Sequence, residues 1–151
     1  MRAVVQRVKK ASVKVDDKIV GQIEKGSLVF LGIGKGDTVR DIQWMLDKII
    51  NLRIFEKEDG KLDESLIDIK GELLVVSQFT LYGDCSKGRR PSFTDAMEPK
   101  EAKTLFELFV SKAKERVKKV ESGIFQASMD VSLINDGPVT LIIDNKISNK
   151  C

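Results

Sequence analysis

The 151-residue sequence predicts an α/β protein of the α+β type: a mixed, largely antiparallel β-sheet or barrel packed by two long helices. Three observations predict it. Residues 11–16 alternate apolar and polar, the period of a strand with one buried face. Residues 28–33 and 73–76 are almost wholly apolar, as a strand covered on both faces requires. Two longer segments, opening near Thr38 and Pro99, repeat apolar side chains at helical spacing. The strand-like segments do not alternate strictly with the helical ones, which argues against a doubly wound parallel sheet.

Taken in order, residues 2–8 are mostly apolar and read as the first strand. Ala11, Val13 and Val15 then share one face, and Ser12, Lys14 and Asp16 the other. Asp16-Asp17-Lys18 reads as a turn into Ile19-Val20. Leu28 to Ile33 is the next strand, and it ends among Gly32, Gly34 and Gly36. Thr38 with Asp41 three residues on approximates a capping box, and Ile42, Met45, Leu46 and Ile49 continue as a helix. Asp59-Gly60 marks a turn. Leu73 to Val76 is a buried strand running straight into Ser77-Gln78-Phe79-Thr80. Pro99 fits the first position of the second helix, where its missing N–H is not needed. Ala102, Leu105, Phe106, Phe109, Val110, Ala113 and Val117 supply that helix's apolar stripe. Residues 129–133 and 139–143 read as final strands on either side of Asn135-Asp136-Gly137-Pro138. No linker or repeat divides the chain, so a single domain over 1–151 is expected, with a polar tail from about residue 145.

Composition narrows the chemistry. No run of about 18 apolar residues occurs, so no membrane span is expected. The first residues are charged too soon for a signal peptide's apolar core, and the expected location is the cytoplasm. Cys85 and Cys151 form no CxxC pair and have no metal-ligand spacing, so both are expected as thiols. Asp95, Glu98 and Glu101 read as capping and surface charge, and no metal or other cofactor is expected. The net charge of +3 permits a polyanionic partner without requiring one. The most decisive fact is that the chain contains no histidine. Ser-His-Asp and Cys-His machinery is excluded, and so is a general base of ordinary pKa near 7.

Three segments could carry chemistry. Ser77-Gln78-Phe79-Thr80-Leu81-Tyr82-Gly83-Asp84 turns polar at the end of an apolar strand, where side chains and free N–H groups are delivered to a cleft; it could equally mark a strand leaving the core. Asn135-Asp136-Gly137-Pro138-Val139-Thr140 reads either as a turn between two strands or as a Gly-Pro backbone presented to a ligand. Lys87-Gly88-Arg89-Arg90-Pro91 sets three cations within four residues, a phosphate site or a solvated loop. The cations of the second helix (Lys112, Lys114, Arg116, Lys118 and Lys119) read as its wet face. Phe125 and Met129 stand four apart and could clasp an aromatic base or belong to the core.

Together these segments resemble the D-aminoacyl-tRNA deacylase family. The resemblance rests on Met1-Arg2-Ala3-Val4-Val5-Gln6-Arg7-Val8, Asn51-Leu52-Arg53-Ile54-Phe55, Ser77-Gln78-Phe79-Thr80-Leu81, Lys87-Gly88-Arg89-Arg90-Pro91-Ser92-Phe93 and Asn135-Asp136-Gly137-Pro138-Val139-Thr140, in that order over nearly the whole chain. Each motif alone is weak and the set is specific. Departures are confined to Cys85 within 84–86 and to the tail that ends in Cys151.

The resemblance implies a homodimer with two active sites at its interface, acting on the 3′ end of aminoacyl-tRNA. Ser77, Gln78, Phe79 and Thr80 would line a pocket in one subunit as the catalytic residues. Gly137-Pro138, cis in the family, would reach in from the other. Arg7 would hold that loop, and Phe125 and Met129 would pack on the terminal adenine. Backbone N–H groups at Phe79 and Thr80 would steady the oxyanion of ester hydrolysis. Either Thr80 or the 2′-hydroxyl of the terminal ribose would activate the attack, and the second is favoured because no neutral base stands nearby. Lys side chains and Tyr82 could serve only with strongly shifted pKa values. A D side chain would point out of the pocket and an L side chain into the Gly-Pro backbone, so glycyl-tRNA would be poorly excluded. Two rivals share these residues: a tRNA- or single-strand-binding barrel without catalysis, and a Thr80-dependent esterase for small esters.

Overall fold

A computed structural model describes residues 1–57 and 59–146. The tail beyond Lys146, with Cys151, lies outside the described residues.

The first two strand-like segments are one continuous strand, β1 (Arg2–Val15). It turns at Asp16 and Asp17, both at positive φ, into β2 (Lys18–Ile23). Two positive-φ residues in a two-residue connection match the twist of an antiparallel hairpin. β3 (Gly26–Gly32) returns along the first half of β1, and α1 (Val39–Asn51) follows. The Asp41 carboxylate accepts from both the backbone N–H (2.7 Å) and the hydroxyl (2.8 Å) of Thr38, which closes the predicted helix start. A small ladder, β4 (Phe55–Glu56) with β5 (Leu62–Glu64), precedes β6 (Glu72–Ser77). After a 3-10 turn over Phe79–Tyr82 come α2 (Pro99–Arg116), β7 (Val120–Ser122) and β8 (Asp130–Asp144).

The main sheet runs β2-β1-β3-β6-β7, with β8 along β1. β1 pairs antiparallel with β2, β3 and β8, while β3-β6 and β6-β7 are parallel. The sheet curls until β2 touches β6 and β7, and the nearly closed barrel has two cores. Val29, Leu31, Leu73 and Val75 face the helices and meet Ile42, Met45, Phe106 and Phe109. Leu28, Leu74 and Val76, one residue out of phase, fill the barrel with Val13 and Ile23. That is why β3 and β6 read as continuous apolar runs: both of their faces are covered.

β1 changes faces along its length. Ala3 and Val5 belong to the helix-side core, but Ala11 and Val13 belong to the barrel interior. The switch follows from register shifts against β8 between Gln6 and Val8 and between Val8 and Lys10. An extra residue in one strand inverts the inward-outward alternation beyond it.

The expected pair of final strands is instead one strand. Gln6 pairs with Thr140 and Val8 with Asn135, so Arg7 alone stands opposite the four residues 136–139. Asp136-Gly137-Pro138-Val139 therefore forms a bulge within β8 and not a turn between strands. The 14-residue β1 supplies an unbroken template on both sides of it. β4, β5 and β7 had no sequence signal, since two or three residues carry no period. No helix among the described residues is long and apolar enough to cross a membrane.

The sheet's end is tied by Arg2, whose guanidinium donates to Asp144 Oδ2 (2.7 Å) and to the Leu81 carbonyl (3.0 Å) and lies 4.7 Å from the centre of the Tyr82 ring. Burial opposes charge on Asp144, but the Lys146 N–H and Arg2 outweigh it and hold the carboxyl below the usual range. A depressed acid contributes stability that is complete above its unfolded pKa of about 4 and fades as pH falls through the folded value. We expect the urea midpoint of the wild type to fall on acidification below that pH. The gap between wild type and Asp144→Asn should close over the same interval; a gap that persists in acid would assign the loss to packing instead.

Gly26 sits between Val8 of β1 and Glu72 of β6. A Cβ on it would stand 1.9 Å from the Glu72 carbonyl oxygen, so the backbones would have to part. Gly26→Ala should lower stability by roughly 1–3 kcal/mol or more, read as a lowered urea midpoint.

Candidate active site

β6 is buried through Val76 and turns half-exposed at Ser77 and Gln78. The chain is pinned there when the Gln78 N–H donates to the Leu31 carbonyl of β3 (2.9 Å). A 3-10 turn follows, in which the Leu81 N–H donates to Gln78 O (3.3 Å) and the Gly83 N–H to Thr80 O (2.9 Å). The N–H groups of Phe79 and Thr80 precede the first donor of that turn, and among the described residues neither meets an acceptor. The Gln78 side-chain amide donates to the Thr80 hydroxyl.

Ser77, Gln78 and Phe79 line one wall of a cleft of about 660 Å³, and Phe125, Gln126 and Met129 line the other. Phe79 is 58% exposed and its ring meets Phe93 edge-on at 5.0 Å, while Phe125 leans on Phe106 of α2 at 5.8 Å. The cleft is thus lined by apolar rings together with Ser77, Gln78, Glu98 and Gln126. Such a hollow suits a flat, partly polar group. Thr80 is exposed and does not line the cleft.

Two candidate bases can be judged. The Tyr82 hydroxyl is pushed far above its ordinary pKa, by burial first and then by the charge of Asp37, so it stays protonated and is no base at neutral pH. Among the described lining residues, Glu98 at the start of α2 is the one ionisable side chain. Sequence reasoning passed over Glu98 as capping charge, and no period or motif marks it as a cleft residue. Gln126 was missed as well; its positive φ of 64° turns the chain at the cleft wall and carries no sequence signal.

The second cluster lies elsewhere on the same chain. Arg7 is 4% exposed, and each of its three guanidinium nitrogens makes a hydrogen bond. Nε donates to the Asp136 carbonyl (2.7 Å), one terminal nitrogen to the Ile54 carbonyl (2.7 Å) and the other to Glu56 (3.3 Å). Asn135 braces the bulge from the other side. Its amide oxygen accepts from the Val139 N–H (2.8 Å), and its amide nitrogen donates to the Val139 carbonyl (3.1 Å) and the Thr140 hydroxyl (3.0 Å). The side chain stands in for a missing strand partner, a role open to Asn because its amide mimics a peptide. Between these braces the Gly137-Pro138 peptide is cis and exposed. Gly137 has φ of +141°, and a Cβ on it would stand 2.8 Å from the Val139 side chain and 3.0 Å from Arg7. Gly137 lines a separate hollow with Arg7, Lys9, Lys25, Glu56 and Asp136.

Of the sequence-predicted residues, the fold therefore brings Ser77, Gln78, Phe79, Phe125 and Met129 to one cleft. It sets Arg7 beside Gly137-Pro138 in a second place. Within one chain it does not join the two clusters.

A profile of the D-Tyr-tRNA(Tyr) deacylase family matches residues 4–144. A D-aminoacyl-tRNA deacylase of Syntrophus aciditrophicus (strain SB) is 63% identical over 146 residues, covering 97% of this chain and 98% of that one. A solved structure described as c-Myc DNA Unwinding Element Binding Protein superposes with a TM-score of 0.91 at 40% identity, over 96% of this chain and 99% of that one. A second, described as a probable eukaryotic D-amino acid tRNA deacylase, is 18% identical with a TM-score of 0.82 over 94% and 97%, a likeness of fold alone. With the profile matching residues 4–144 and 63% identity to a relative covered over 98% of its length, the chain belongs to the D-Tyr-tRNA(Tyr) deacylase family.

Proposed function

We propose that the protein is a homodimer that hydrolyses the ester bond of D-aminoacyl-tRNA and releases free amino acid and tRNA. The observation that carries this reading is the locked bulge. A buried arginine bonded through all three of its nitrogens and a bridging asparagine hold an exposed Gly-Pro peptide away from the cleft of its own chain. A module that merely binds nucleic acid has no use for such a brace. A second copy supplies the use: the bulge of one subunit enters the cleft of the other.

The outer edge of β8 supports that assembly. It is a 15-residue strand paired only with β1 among the described residues, and Ile134, Leu141 and Ile142 are exposed on it, Ile142 at 79%. Long apolar edges are seldom left open to water.

In the assembled site the terminal adenine lies between Phe125 and Met129. The ester carbonyl points at the free N–H groups of Phe79 and Thr80, which take the developing negative charge. Ser77 and Gln78 shape the wall, and Gln78 fixes the Thr80 hydroxyl. The carbonyl oxygens of Gly137 and Pro138 accept from the substrate ammonium. With ammonium, Cα and ester held, a D side chain leaves the pocket and an L side chain strikes the Gly-Pro backbone. Glycine has nothing to strike and is accepted, so mischarged glycyl-tRNA is a substrate. The 2′-hydroxyl of the terminal ribose positions the attacking water, because Thr80 has no base beside it and Tyr82 stays protonated. Charged tRNA as substrate sets the work in the cytoplasm.

The test is ester loss from D-Tyr-tRNA and L-Tyr-tRNA. The D ester should vanish in the presence of the protein while the L ester decays as in buffer; equal decay of both at the buffer rate rejects the proposal. Gly137→Ala should lose activity or chiral choice, because the added methyl meets Val139 and Arg7 at a φ that L residues avoid. Wild-type discrimination in that variant would count against the backbone probe.

Thr80→Ala separates the two routes of attack. Losing one hydrogen bond should slow the reaction by about tenfold or less. A fall of roughly 10⁶, as when a nucleophile is removed, would make Thr80 the attacking group.

A further inference from the structure

The Lys87-Gly88-Arg89-Arg90 segment takes no part in the chemistry above, and its position gives it another task. Asp84 and Ser92 exchange backbone hydrogen bonds (2.7 and 2.9 Å), closing the intervening residues into a hairpin. Each stem of that hairpin joins the cleft. Asp84 follows the 3-10 turn that carries Phe79 and Thr80, and Ser92 precedes Phe93, which lines the cleft and meets Phe79 edge-on. Gly83 lets the stems close, since a Cβ there would stand 3.0 Å from the Phe93 ring. The tip is thus carried by the same short unit as the catalytic turn. Arg90 is two residues from Ser92, so its Cα stands within about 7 Å of the ladder at full extension.

The charges of the tip are also unmatched. Lys87, Arg89 and Arg90 are exposed, and among the described residues none meets a carboxylate. Some other surface cations do (Arg53 and Lys57 share Asp63, Arg116 reaches Asp47, and Lys119 reaches Glu72), while among the described residues others such as Lys14, Lys18 and Lys114 do not, so what sets the tip apart is three unpaired cations within four residues beside the cleft. Asp84, the acid nearest in sequence to Lys87, accepts from the Ser86 N–H (2.9 Å). Gly88 at φ +73° turns the tip with open space around it.

We infer that this hairpin is a phosphate-binding subsite that grips the backbone of the single-stranded 3′ end of tRNA while the terminal nucleoside occupies the cleft. The inference rests on the proposed deacylase reading for the orientation of the substrate. Three free cations at the mouth of a cleft that takes the end of a polyanion neutralise phosphates in a sequence-independent way and release their counterions. Arginine's fork suits this because it grips a phosphate with two hydrogen bonds. The hairpin serves binding and register, since no cation of the tip lines the cleft itself.

The triple variant Lys87→Gln/Arg89→Gln/Arg90→Gln tests it, assayed with D-Tyr-tRNA across about 50–200 mM KCl, the range over which phosphate binding shows its salt dependence. We expect KM to rise at least tenfold at low salt with kcat nearly unchanged. The slope of log(kcat/KM) against log[KCl] should flatten by about 2, near 0.7 for each single-strand phosphate that is no longer neutralised. An unchanged KM with an unchanged salt slope overturns the inference. So does a fall in kcat with the slope preserved, which would make the hairpin only a brace for the 3-10 turn. Anisotropy titration of uncharged tRNA reads the grip on the backbone without the chemistry. A wild type that hydrolyses nothing, yet binds tRNA through these three cations, would sink the deacylase reading and leave the subsite standing.

Discussion

The buried guanidinium of Arg7 is the constraint around which this chain is arranged. It stands alone opposite four residues of β8, where the ladder can no longer be regular; one of its three hydrogen bonds holds the bulge at the Asp136 carbonyl, and the other two tie it to Ile54 and Glu56. A buried charge left without partners would cost several kcal/mol, so the bulge and the Ile54-Glu56 corner are held as firmly as the arginine needs them. Asn135 completes the frame from the opposite side through the backbone of Val139. The same irregularity moves β1 from the helix-side core to the barrel interior. One departure from strand register therefore shapes the sheet and also presents a rigid, exposed Gly-Pro peptide. Gly137 is needed there because its φ and its crowded surroundings admit no side chain.

The other cluster is held by comparable means. The 3-10 turn is fixed at its start by Leu31, at its end by Arg2, and at its flank by the Phe79-Phe93 contact. The consequence is two backbone N–H groups, at Phe79 and Thr80, that meet no acceptor among the described residues and whose direction is set by the sheet and not by a rotamer. Of the side chains that could compete as bases, Glu98 lines the cleft and Tyr82 is disabled. Tyr82 is held protonated by burial and by Asp37, and Asp37 itself is occupied with the Met1 ammonium (2.8 Å) and the Gly34 N–H (2.7 Å).

Much of this was legible in the residues, and what was not has physical causes. The two helices, their starts at Thr38 and Pro99, and the doubly buried runs of β3 and β6 follow from period and capping, which are local properties. The Asp16-Asp17 hairpin is equally local. The continuity of β8 was not legible, because Asn, Asp, Gly and Pro are turn formers in any local accounting. Only the length of β1, a long-range partner, keeps them inside one strand. The cleft was partly legible: a polar end on an apolar strand pointed to Ser77 and Gln78. Glu98 and Gln126 reach it from elements distant in sequence, and no pattern at their positions records that meeting. The separation of Gly137-Pro138 from the cleft within one chain is likewise a property of the assembled sheet.

The absence of histidine links these features. A hydrolase that relies on an imidazole must position a titratable side chain and keep its pKa near the working pH. A site made of main-chain N–H and C=O groups has no such requirement; it needs only that the backbone be stiff where it meets the substrate. The chain achieves stiffness through a buried arginine, a bridging asparagine, a pinned 3-10 turn and glycines where a Cβ would intrude. Main-chain groups are also blind to side-chain identity, so on the proposed reading a site built from them can sort substrates by handedness while ignoring which amino acid is attached. A pocket of side chains would have selected one residue type. On that reading, breadth of substrate and strictness of chirality would share one origin, the use of backbone in place of side chains where protein meets substrate.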